Sequence, residues 1–407
     1  MKYILTPPPQ IEGNIKLPSS KSISNRALIL NALSYSNFGI QNVSDCDDTR
    51  VMIKALDSDS TLFDVGAAGT AMRFLTPFLS KIVGKWTITG SERMKQRPIK
   101  LLVDALNSLG AKIEYVENEG FPPLRIFGSA LEGGEISLDG GVSSQYISAL
   151  MMVAPTMKKG LKITLTGNVI SVPYIHLTAS MMEEFGVKVL WKENVITITP
   201  QEYKPISYTI ESDWSGASYW YEMLALCGKG QLFLQGLRKK SAQGDAKIAE
   251  LFYKLGIKTS YQKDGVLLSL NGNLAPKLNY NFVNQPDMAQ TFVVTCCLLN
   301  VPFRFSGLQS LKIKETDRIA ALINELKKVG YVVSETSHGI IEWKGEHCEQ
   351  ANSIEIDTYE DHRMAMAFAP IALKQNIIIN EPQVVSKSYP NFWEDLKEVG
   401  FKIKEKA

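Results

Sequence analysis

The segment LKIKETDRIAALINELKKVG, residues 311–330, carries a pattern that the rest of the chain repeats. Its second half has apolar residues at i, i+3, i+4 and i+7, which predicts an amphipathic helix. These residues are Ile319, Leu322, Ile323 and Leu326. Gly330 follows the last turn, in the position just past a helix end that glycine favours. We therefore expect a helix that buries one face and ends at Gly330.

The first half of this segment is strongly charged. Lys314, Glu315, Asp317 and Arg318 stand within five residues. If the helix begins near Glu315, Lys314 and Arg318 rise from its first turn, where free N–H groups and the helix dipole favour an anion. The sequence leaves two interpretations: an anion site with a carboxylate that could move a proton, or a solvated helix start.

A helix, a glycine, a strand, a polar turn and a second strand recur along the chain. The glycines that end the predicted helices are Gly110, Gly186, Gly256, Gly330 and Gly400, separated by 76, 70, 74 and 70 residues. Residues 51–66, VMIKALDSDSTLFDVG, resemble a sixth copy without its glycine. A period near 70 residues is too long for a solenoid, so we expect an α/β chain with one supersecondary unit used six times.

The composition is typical of a soluble globular enzyme. Charged residues make up 21% and hydrophobic residues 45% of the 407 residues, and the net charge of +2 predicts no nucleic-acid or membrane partner. No apolar run approaches the length of a membrane span, and MKYILTPPPQ does not resemble a signal peptide. Five cysteines and four histidines without ligand spacing predict reduced thiols in the cytoplasm and no metal.

Hydroxyl, cationic and small residues recur where helices are predicted to begin. In LPSSKSISNRA (17–27), Ser22 and Arg26 share a helix face, with a lysine just ahead of them. In DVGAAGTAMR (64–73), small side chains let the backbone approach a ligand closely. The alternative in each case is a capped helix or a tight turn without a ligand.

Three further turns in the first half fit the same pattern. MKQRP (94–98) places Arg97 ahead of Pro98, which suits the first position of a helix. GGVSSQY (140–146) and SVPY (171–174) put hydroxyls and an amide at helix starts. These groups could hold substrate oxygens or serve as plain caps.

The second half continues the pattern after ESDWSGAS (211–218), a polar interruption that we interpret as the return crossing between two lobes. Asp287 precedes an apolar helix, DHRMAM (361–366) opens another, and Lys387 precedes the last one. An aspartate at a helix start is commonly a cap. Clusters from both halves nevertheless predict a cationic cleft for substrates that carry several negative charges.

The ordered set of motifs resembles the 3-phosphoshikimate 1-carboxyvinyltransferase family, the EPSP synthases. The motifs are Lys21-Ser22 with Arg26, GTAMR (69–73), Arg97-Pro98, SSQ (143–145), Lys314-Glu315 with Arg318, and DHRMAM (361–366). The resemblance implies a two-lobe enolpyruvyl transferase fold of class α/β (α+β), with three of six β/α units in each lobe and helix N-termini facing an interlobe cleft. The first lobe would comprise residues 20–212, and the second residues 1–19 and 213–407.

The resemblance also implies a reaction. Phosphoenolpyruvate would give its enolpyruvyl (carboxyvinyl) group to the 5-hydroxyl of 3-phosphoshikimate and release phosphate, on the way to chorismate and the aromatic amino acids. No cofactor and no metal would be required. The two small molecules would be the partners of a cytoplasmic monomer.

The family's site residues carry over by motif. The 3-phosphoshikimate site would comprise Lys21, Ser22, Arg26, Ser143, Ser144, Gln145, Ser171, Tyr174, Asp287, Ser310 and Lys314. The phosphoenolpyruvate site would comprise Lys21, Gly69, Arg97, Gln145, Arg318, Arg363 and Lys387. Asp287 would accept the hydroxyl proton, Lys314 would share that task, and Glu315 would protonate the methylene carbon.

Three positions depart from the family pattern. Ala67 stands where many members have asparagine, so an amide contact to phosphate is lost and Ala67 is left out of the site. Ser310 is often asparagine in the family and reaches less far. Phe74 replaces a proline and could alter the packing behind Gly69.

Two other interpretations stay open. The sister family that transfers enolpyruvyl to UDP-N-acetylglucosamine would show Lys-Asn in the first motif, where this chain has Lys21-Ser22, and a cysteine in a cationic loop. A non-catalytic polyanion-binding paralogue is the second alternative, although Asp287, Lys314 and Glu315 are all present. The acceptor that supports phosphate release discriminates among the three.

Overall fold

The computed structural model describes residues 1–141 and 143–406. Its α-helices are α1 (Lys21–Leu33), α2 (Asp47–Leu56), α3 (Gly69–Lys81), α4 (Lys100–Ser108), α5 (Ser144–Val153), α6 (Val172–Glu184), α7 (Trp214–Cys227), α8 (Ile248–Tyr253), α9 (Ala289–Leu298), α10 (Arg318–Val329), α11 (His362–Phe368) and α12 (Phe392–Glu398). Within the described ranges, none of these helices has the length and apolar character needed to cross a bilayer.

The strands are short and numerous. They are β1 (Lys2–Thr6), β2 (Ile11–Lys16), β3 (Ile40–Gln41), β4 (Leu62–Asp64), β5 (Gly84–Thr89), β6 (Lys112–Tyr115), β7 (Leu124–Gly128), β8 (Gly134–Asp139), β9 (Leu161–Thr166), β10 (Leu190–Lys192), β11 (Val195–Ile198), β12 (Tyr208–Thr209), β13 (Gly230–Gln235), β14 (Ile257–Gln262), β15 (Gly265–Leu270), β16 (Leu278–Asn281), β17 (Phe303–Ser306), β18 (Ser334–Ser337), β19 (Ile340–Trp343), β20 (Glu355–Ile356), β21 (Ile378–Asn380) and β22 (Lys402–Lys406).

These elements divide into two units. The inserted unit is Lys21–Ile210, and the terminal unit joins Met1–Ser20 to Glu211–Ala407. Each unit has its own core of buried apolar side chains, which supplies the main driving force for folding. The segment 211–218 is more than a crossing, because α7 begins within it at Trp214.

Five four-stranded sheets repeat one arrangement. In each, a helix precedes the second of two parallel strands, and a further helix leads through a glycine into an antiparallel strand pair. The sheet orders are β4-β5-β7-β6, β8-β9-β11-β10, β2-β13-β15-β14, β16-β17-β19-β18 and β20-β21-β1-β22. The predicted succession of helix, glycine and strands is therefore confirmed.

The five glycines that end the second helices share one backbone conformation. Their φ angles are +98°, +84°, +97°, +101° and +98°, a region that residues with a side chain rarely adopt. Each helix stop in the repeat therefore requires a glycine, which is why the sequence shows the period so clearly.

The sixth copy is incomplete, and the expectation for residues 51–66 was wrong in part. Helix α2 is present, but Leu62–Asp64 forms β4, which pairs with β5 in the sheet of the next copy. The sixth copy keeps a two-stranded sheet of β3 and β12 and has no hairpin within the described residues.

In the last copy, one of the four strands is β1, which comes from the N-terminal end of the chain. Strand β1 pairs antiparallel with both β21 and β22, from Lys2 opposite Lys406 to Thr6 opposite Lys402. Strand β2, the last before the inserted unit, pairs in parallel with β13. These two pairings bind the N-terminal segment to the C-terminal half of the chain.

Candidate active site

The charged segment before α10 departs from the expected helical form. Helix α10 begins at Arg318, and Asp317 caps it by accepting hydrogen bonds from two N–H groups of the first turn, each at 3.1 Å. Lys314 and Glu315 precede the helix, so the expectation that it begins near Glu315 was wrong. Asp317 sets the start of α10, because its side-chain oxygen accepts from first-turn N–H groups that have no carbonyl partner within the helix.

The apolar face of α10 is confirmed. Ile319, Leu322 and Leu326 are each 0% exposed, and Ile323 is half-buried against the same core. Burial of this face fixes the direction of the helix, and with it the position of the Arg318 side chain at its start.

Carboxylates enclose the Arg318 guanidinium. The side chain is buried, and its nitrogens lie 2.6 Å from Asp361, 2.9 Å from Glu315 and 3.0 Å from Asp287. Burial alone would lower the pKa of Arg318, but these three carboxylates more than offset that effect and raise it above its ordinary value. Arg318 is therefore a permanent cation that holds three carboxylates together.

Asp287 has three cations around it. Its oxygens lie 3.0 Å from Arg318, 3.2 Å from Arg363 and 3.7 Å from Lys314. Burial would raise the pKa of Asp287, but the charges of Arg363, Lys314 and Arg318 outweigh it and hold that pKa well below its usual range. Asp287 is therefore ionised in the ligand-free chain.

Two further residues join the same group: Lys387, which was predicted, and Asp361, which was not. Lys387 ends the turn Pro382–Lys387, and its ammonium lies 3.6 Å from Glu315. Asp361 caps α11 by accepting the Arg363 N–H at 2.9 Å, as the sequence pattern of a charged helix start predicts.

We call this group the terminal cluster. It consists of Asp287, Lys314, Glu315, Arg318, Asp361, Arg363 and Lys387. Its four cations and three carboxylates leave a net charge of +1, so the cluster can both attract an anion and exchange protons.

Arg26, in the inserted unit, is buried among neutral partners. Its Nε donates to the Thr178 hydroxyl at 2.7 Å, and its Nη groups donate to the carbonyl oxygens of Ser22 and Tyr174 at 3.0 and 3.4 Å. Its guanidinium carbon lies 5.2 Å from the centre of the Phe74 ring. Burial lowers the pKa of Arg26 to about 10, and Tyr174 offsets a part of that shift.

Two arginines converge on the first residue of α3. A Cβ on Gly69 would lie 2.7 Å from Nη1 of Arg97 and 2.8 Å from Nη1 of Arg73, so the site admits only glycine without displacing them. Two guanidiniums beside a helix N-terminus are groups that favour an anion. The sequence suggested Pro98 as the first helical residue, but α4 begins at Lys100. Arg97 instead lies in the loop ahead of that helix.

The predicted serine turns begin α5 and α6 in different ways. Ser143 caps α5 by accepting the Gln145 N–H at 3.3 Å, and the Gln145 amide donates to the Thr70 hydroxyl at 3.1 Å. Ser144 is the first residue of α5. Ser171 precedes α6 in the left-handed conformation, with φ +54°, a strain that in folded proteins concentrates at functional sites.

Lys21 begins α1 and contacts a buried carboxylate. Its ammonium lies 3.1 Å from Asp48, which is 4% exposed. We group four of this unit's cations with that carboxylate and call them the inserted cluster; its members are Lys21, Arg26, Asp48, Arg73 and Arg97. Four cations against one carboxylate make it more positive than the terminal cluster.

The structure adds residues that the sequence interpretation left out. Arg73 stands four residues after Gly69, so helical spacing could have placed it on the same face. Asp48 and Asp361 reach their partners across 27 and 43 residues, and no local pattern announces such pairs. Ser310 lies in the turn Gln309–Ile313, just ahead of Lys314.

The arrangement suits anion binding and proton transfer. Within residues 1–141 and 143–406, no three or more His, Cys, Asp or Glu side chains are grouped to hold a metal ion. The five cysteines carry free thiols.

A solved structure identifies the fold. The structure of EPSP synthase from Acinetobacter baumannii matches this chain with a TM-score of 0.79 at 19% identity, covering 99% of this chain and 100% of that chain. At that identity the match speaks for the fold alone, and it confirms the predicted two-lobe α/β fold.

Sequence comparisons identify the family. The model of the family described as EPSP synthase (3-phosphoshikimate 1-carboxyvinyltransferase) matches residues 5–62 and 54–396. The 3-phosphoshikimate 1-carboxyvinyltransferase of Bacteroides fragilis is 57% identical over 406 residues, 99% of each chain. That of Vibrio campbellii is 36% identical over 423 aligned positions, 97% of this chain and 98% of its own. The chain therefore belongs to the EPSP synthase family of enzymes, and the sister family is not favoured.

Proposed function

We propose that this enzyme transfers the carboxyvinyl group of phosphoenolpyruvate to the 5-hydroxyl of 3-phosphoshikimate and releases phosphate. Family membership over the whole chain supports the reaction. The observation that carries the proposal is the placement of Asp287 within 3.7 Å of three cations, beside a second carboxylate on the same arginine. This arrangement joins a proton acceptor, a proton donor and charge for two polyanions.

The substrate contacts are part of this proposal. 3-Phosphoshikimate would contact Lys21, Ser22, Arg26, Ser143, Ser144, Gln145, Ser171, Tyr174, Asp287, Ser310 and Lys314. Phosphoenolpyruvate would contact Lys21, Gly69, Arg97, Gln145, Arg318, Arg363 and Lys387. Arg73 joins the second set, because its guanidinium and that of Arg97 both lie against Gly69.

Substrate binding would turn Asp287 into a better base. In the ligand-free chain three cations hold its pKa low, which makes the carboxylate stable and weakly basic. Substrate phosphate and carboxylate groups share those cations and reduce their field at Asp287. The pKa of Asp287 would rise as a result, toward the value that suits removal of a proton from the attacking hydroxyl.

Addition and elimination would then use the same two carboxyl groups. The hydroxyl oxygen bonds to C2 of phosphoenolpyruvate while its proton passes to Asp287, and Glu315, which must enter this step protonated, gives its proton to C3, which becomes a methyl group. In elimination the methyl group returns a proton to Glu315, the C2–O bond to phosphate breaks, and the double bond forms again. The proton held by Asp287 passes to the departing phosphate, which restores both carboxyl groups. Lys314, 3.7 Å from Asp287, would assist the first transfer.

Cations would stabilise the departing phosphate. Arg97 is 9% exposed, so its charge is poorly screened by water and acts strongly on a bound anion. Lys21 begins α1 and would contact the same phosphate.

The free thiols further support our expectation that the enzyme works in the reducing cytoplasm, where we also expect it to be a monomer.

Phosphate release tests the reaction. The purified chain is given phosphoenolpyruvate alone, with 3-phosphoshikimate, or with UDP-N-acetylglucosamine. We expect release that requires 3-phosphoshikimate. Release only with UDP-N-acetylglucosamine would assign the chain to the sister activity, and release with neither acceptor would leave a polyanion-binding protein.

A further inference from the structure

Arg318 and Arg363 stand side by side in the terminal cluster but have different partners. Arg318 is shared by three carboxylates, so most of its charge is compensated. Arg363 contacts the Asp287 carboxylate through Nη2 at 3.2 Å, and its Nη1 contacts a neutral group, the Tyr219 hydroxyl, at 3.4 Å. The contact at Nη1 therefore adds no negative charge beside the guanidinium.

Tyr219 is packed in the core of the terminal unit, beside Arg363. It lies on α7, is 1% exposed, and packs edge-on against Phe392 with ring centres 5.9 Å apart. Phe392 in turn packs edge-on against Tyr389, two residues beyond Lys387, at 5.5 Å. The ring of Tyr219 therefore has little freedom, and its hydroxyl is held at one place beside Nη1 of Arg363.

We propose that Tyr219 is a positioning residue for phosphoenolpyruvate binding, which holds the Arg363 guanidinium in place without adding a negative charge beside it. Asp287 contacts Nη2 and the Tyr219 hydroxyl contacts Nη1, so the guanidinium plane is held at both ends. A carboxylate in place of the phenol would hold the plane equally well but would add a negative charge that opposes anion binding. This inference rests on the proposed function, because it assigns Arg363 to phosphoenolpyruvate.

Tyr219 stays neutral under all physiological conditions. Burial raises the pKa of its hydroxyl to about 12, although the neighbouring Arg363 charge pulls it down. The phenol therefore keeps its proton and acts on Arg363 through a dipole and not through a charge. Its 3.4 Å separation from Arg363 is long for a hydrogen bond, so we expect a modest effect from its loss.

The chain offers a matched control on the same helix. Tyr221 is also buried, and its hydroxyl is 2.7 Å from the Thr259 hydroxyl, on β14. Tyr219→Phe and Tyr221→Phe each remove one buried hydroxyl from α7, and they should cost similar stability. Only the first removes a partner of Arg363.

Steady-state kinetics test the inference. We expect Tyr219→Phe to raise KM for phosphoenolpyruvate by about 3- to 10-fold, with kcat and the KM for 3-phosphoshikimate within about twofold of the parent. Tyr221→Phe should leave all three constants unchanged. Equal phosphoenolpyruvate KM values in the two variants, or a Tyr219→Phe defect confined to kcat, would overturn the inference.

A second readout does not depend on the reaction. In protein with nitrogen-15-labelled arginine, the Nε–H signal of Arg363 is assigned by its loss in Arg363→Lys. We expect a sharp signal in the parent and in Tyr221→Phe, and a shifted or broadened one in Tyr219→Phe. An unchanged signal in Tyr219→Phe would overturn the positioning role even if the proposed function holds. Absence of phosphate release in the parent would instead remove the proposed function and leave this signal as the test of Tyr219.

Discussion

Two buried arginines, one in each unit, are held in opposite ways. Arg318 in the terminal unit is 1% exposed and contacts three carboxylates, which raise its pKa. Arg26 in the inserted unit is 2% exposed and contacts hydroxyl and carbonyl oxygens, and burial lowers its pKa. The same side chain is a compensated charge in one unit and a largely uncompensated one in the other.

This difference suggests a division of labour. The terminal cluster holds the carboxyl groups of Asp287 and Glu315 in fixed places, as proton transfer requires. The inserted cluster has more cations than carboxylates, as anion binding requires. Substitutions of these two carboxyl groups should therefore affect turnover most, and substitutions in the inserted cluster should affect affinity most.

The largest expected effect is the loss of turnover when a terminal carboxylate becomes an amide. Asp287→Asn and Glu315→Gln should each lower kcat by about 10²- to 10⁴-fold while substrates still bind, because an amide cannot exchange the proton. Asp317→Asn is the matched control, since asparagine also caps a helix well and Asp317 caps α10. Near-parental kcat in either cluster variant would remove that residue from proton transfer.

The next largest effect is the loss of folding stability when either buried arginine, Arg318 or Arg26, is replaced. Arg318→Met strands three carboxylates and should cost about 3–5 kcal/mol of unfolding free energy. Arg26→Met leaves neutral groups behind and should cost about 1–3 kcal/mol. Denaturant unfolding of both variants measures the difference, and equal losses would contradict the contrast between compensated and uncompensated charge.

Affinity should respond in the inserted cluster. Arg97→Ala should weaken phosphoenolpyruvate binding by about 10- to 100-fold with a smaller change in kcat. Gly69→Ala should act in the same direction, because the added Cβ would lie under 3 Å from both Arg97 and Arg73. Lys95→Ala, which removes a surface lysine paired with Glu117, is the control. Unchanged affinity in Arg97→Ala would make that arginine a structural residue.

The smallest effect concerns stability in acid. Because the folded-state pKa of Asp287 is depressed, its contribution is fully present above its ordinary pKa of 3.8 and is lost as the pH falls below that value. The free energy of unfolding should therefore fall less steeply in Asp287→Asn, by at most about 1.4 kcal/mol per pH unit. Parallel acid limbs in the two proteins would show that the cations do not hold Asp287 ionised.

The sequence predicted what depends on local signals. Each repeat carries an apolar face and a stopping glycine, and α10 shows both, with Ile319 and Leu322 on its buried face and Gly330 at its end. The succession of elements and the charged helix starts could therefore be found. The resemblance of motifs then supplied the family, which the comparisons confirm.

The rest depends on contacts between distant residues. The start of α10 at Arg318 was missed because several charged residues in 314–318 could each stand at a helix start, and the sequence does not show which one is the cap. After α2, the described residues form no hairpin, and β1 pairs with β22 from the other end of the chain. Both features depend on which strands become neighbours in the folded chain. Tyr219 reaches Arg363 across 144 residues, and no spacing in the sequence predicts that contact.

The most direct test of the division of labour is deuterium transfer from D₂O into the methylene group of the product, at saturating concentrations of both substrates. Mass spectrometry measures the rate for the parent, Glu315→Gln and Arg97→Ala. We predict that saturated Arg97→Ala loses deuterium incorporation by less than about 10-fold, whereas Glu315→Gln loses it by about 10²-fold or more. Parental incorporation in Glu315→Gln, or a comparable loss in saturated Arg97→Ala, would contradict the assignment of proton chemistry to the terminal cluster.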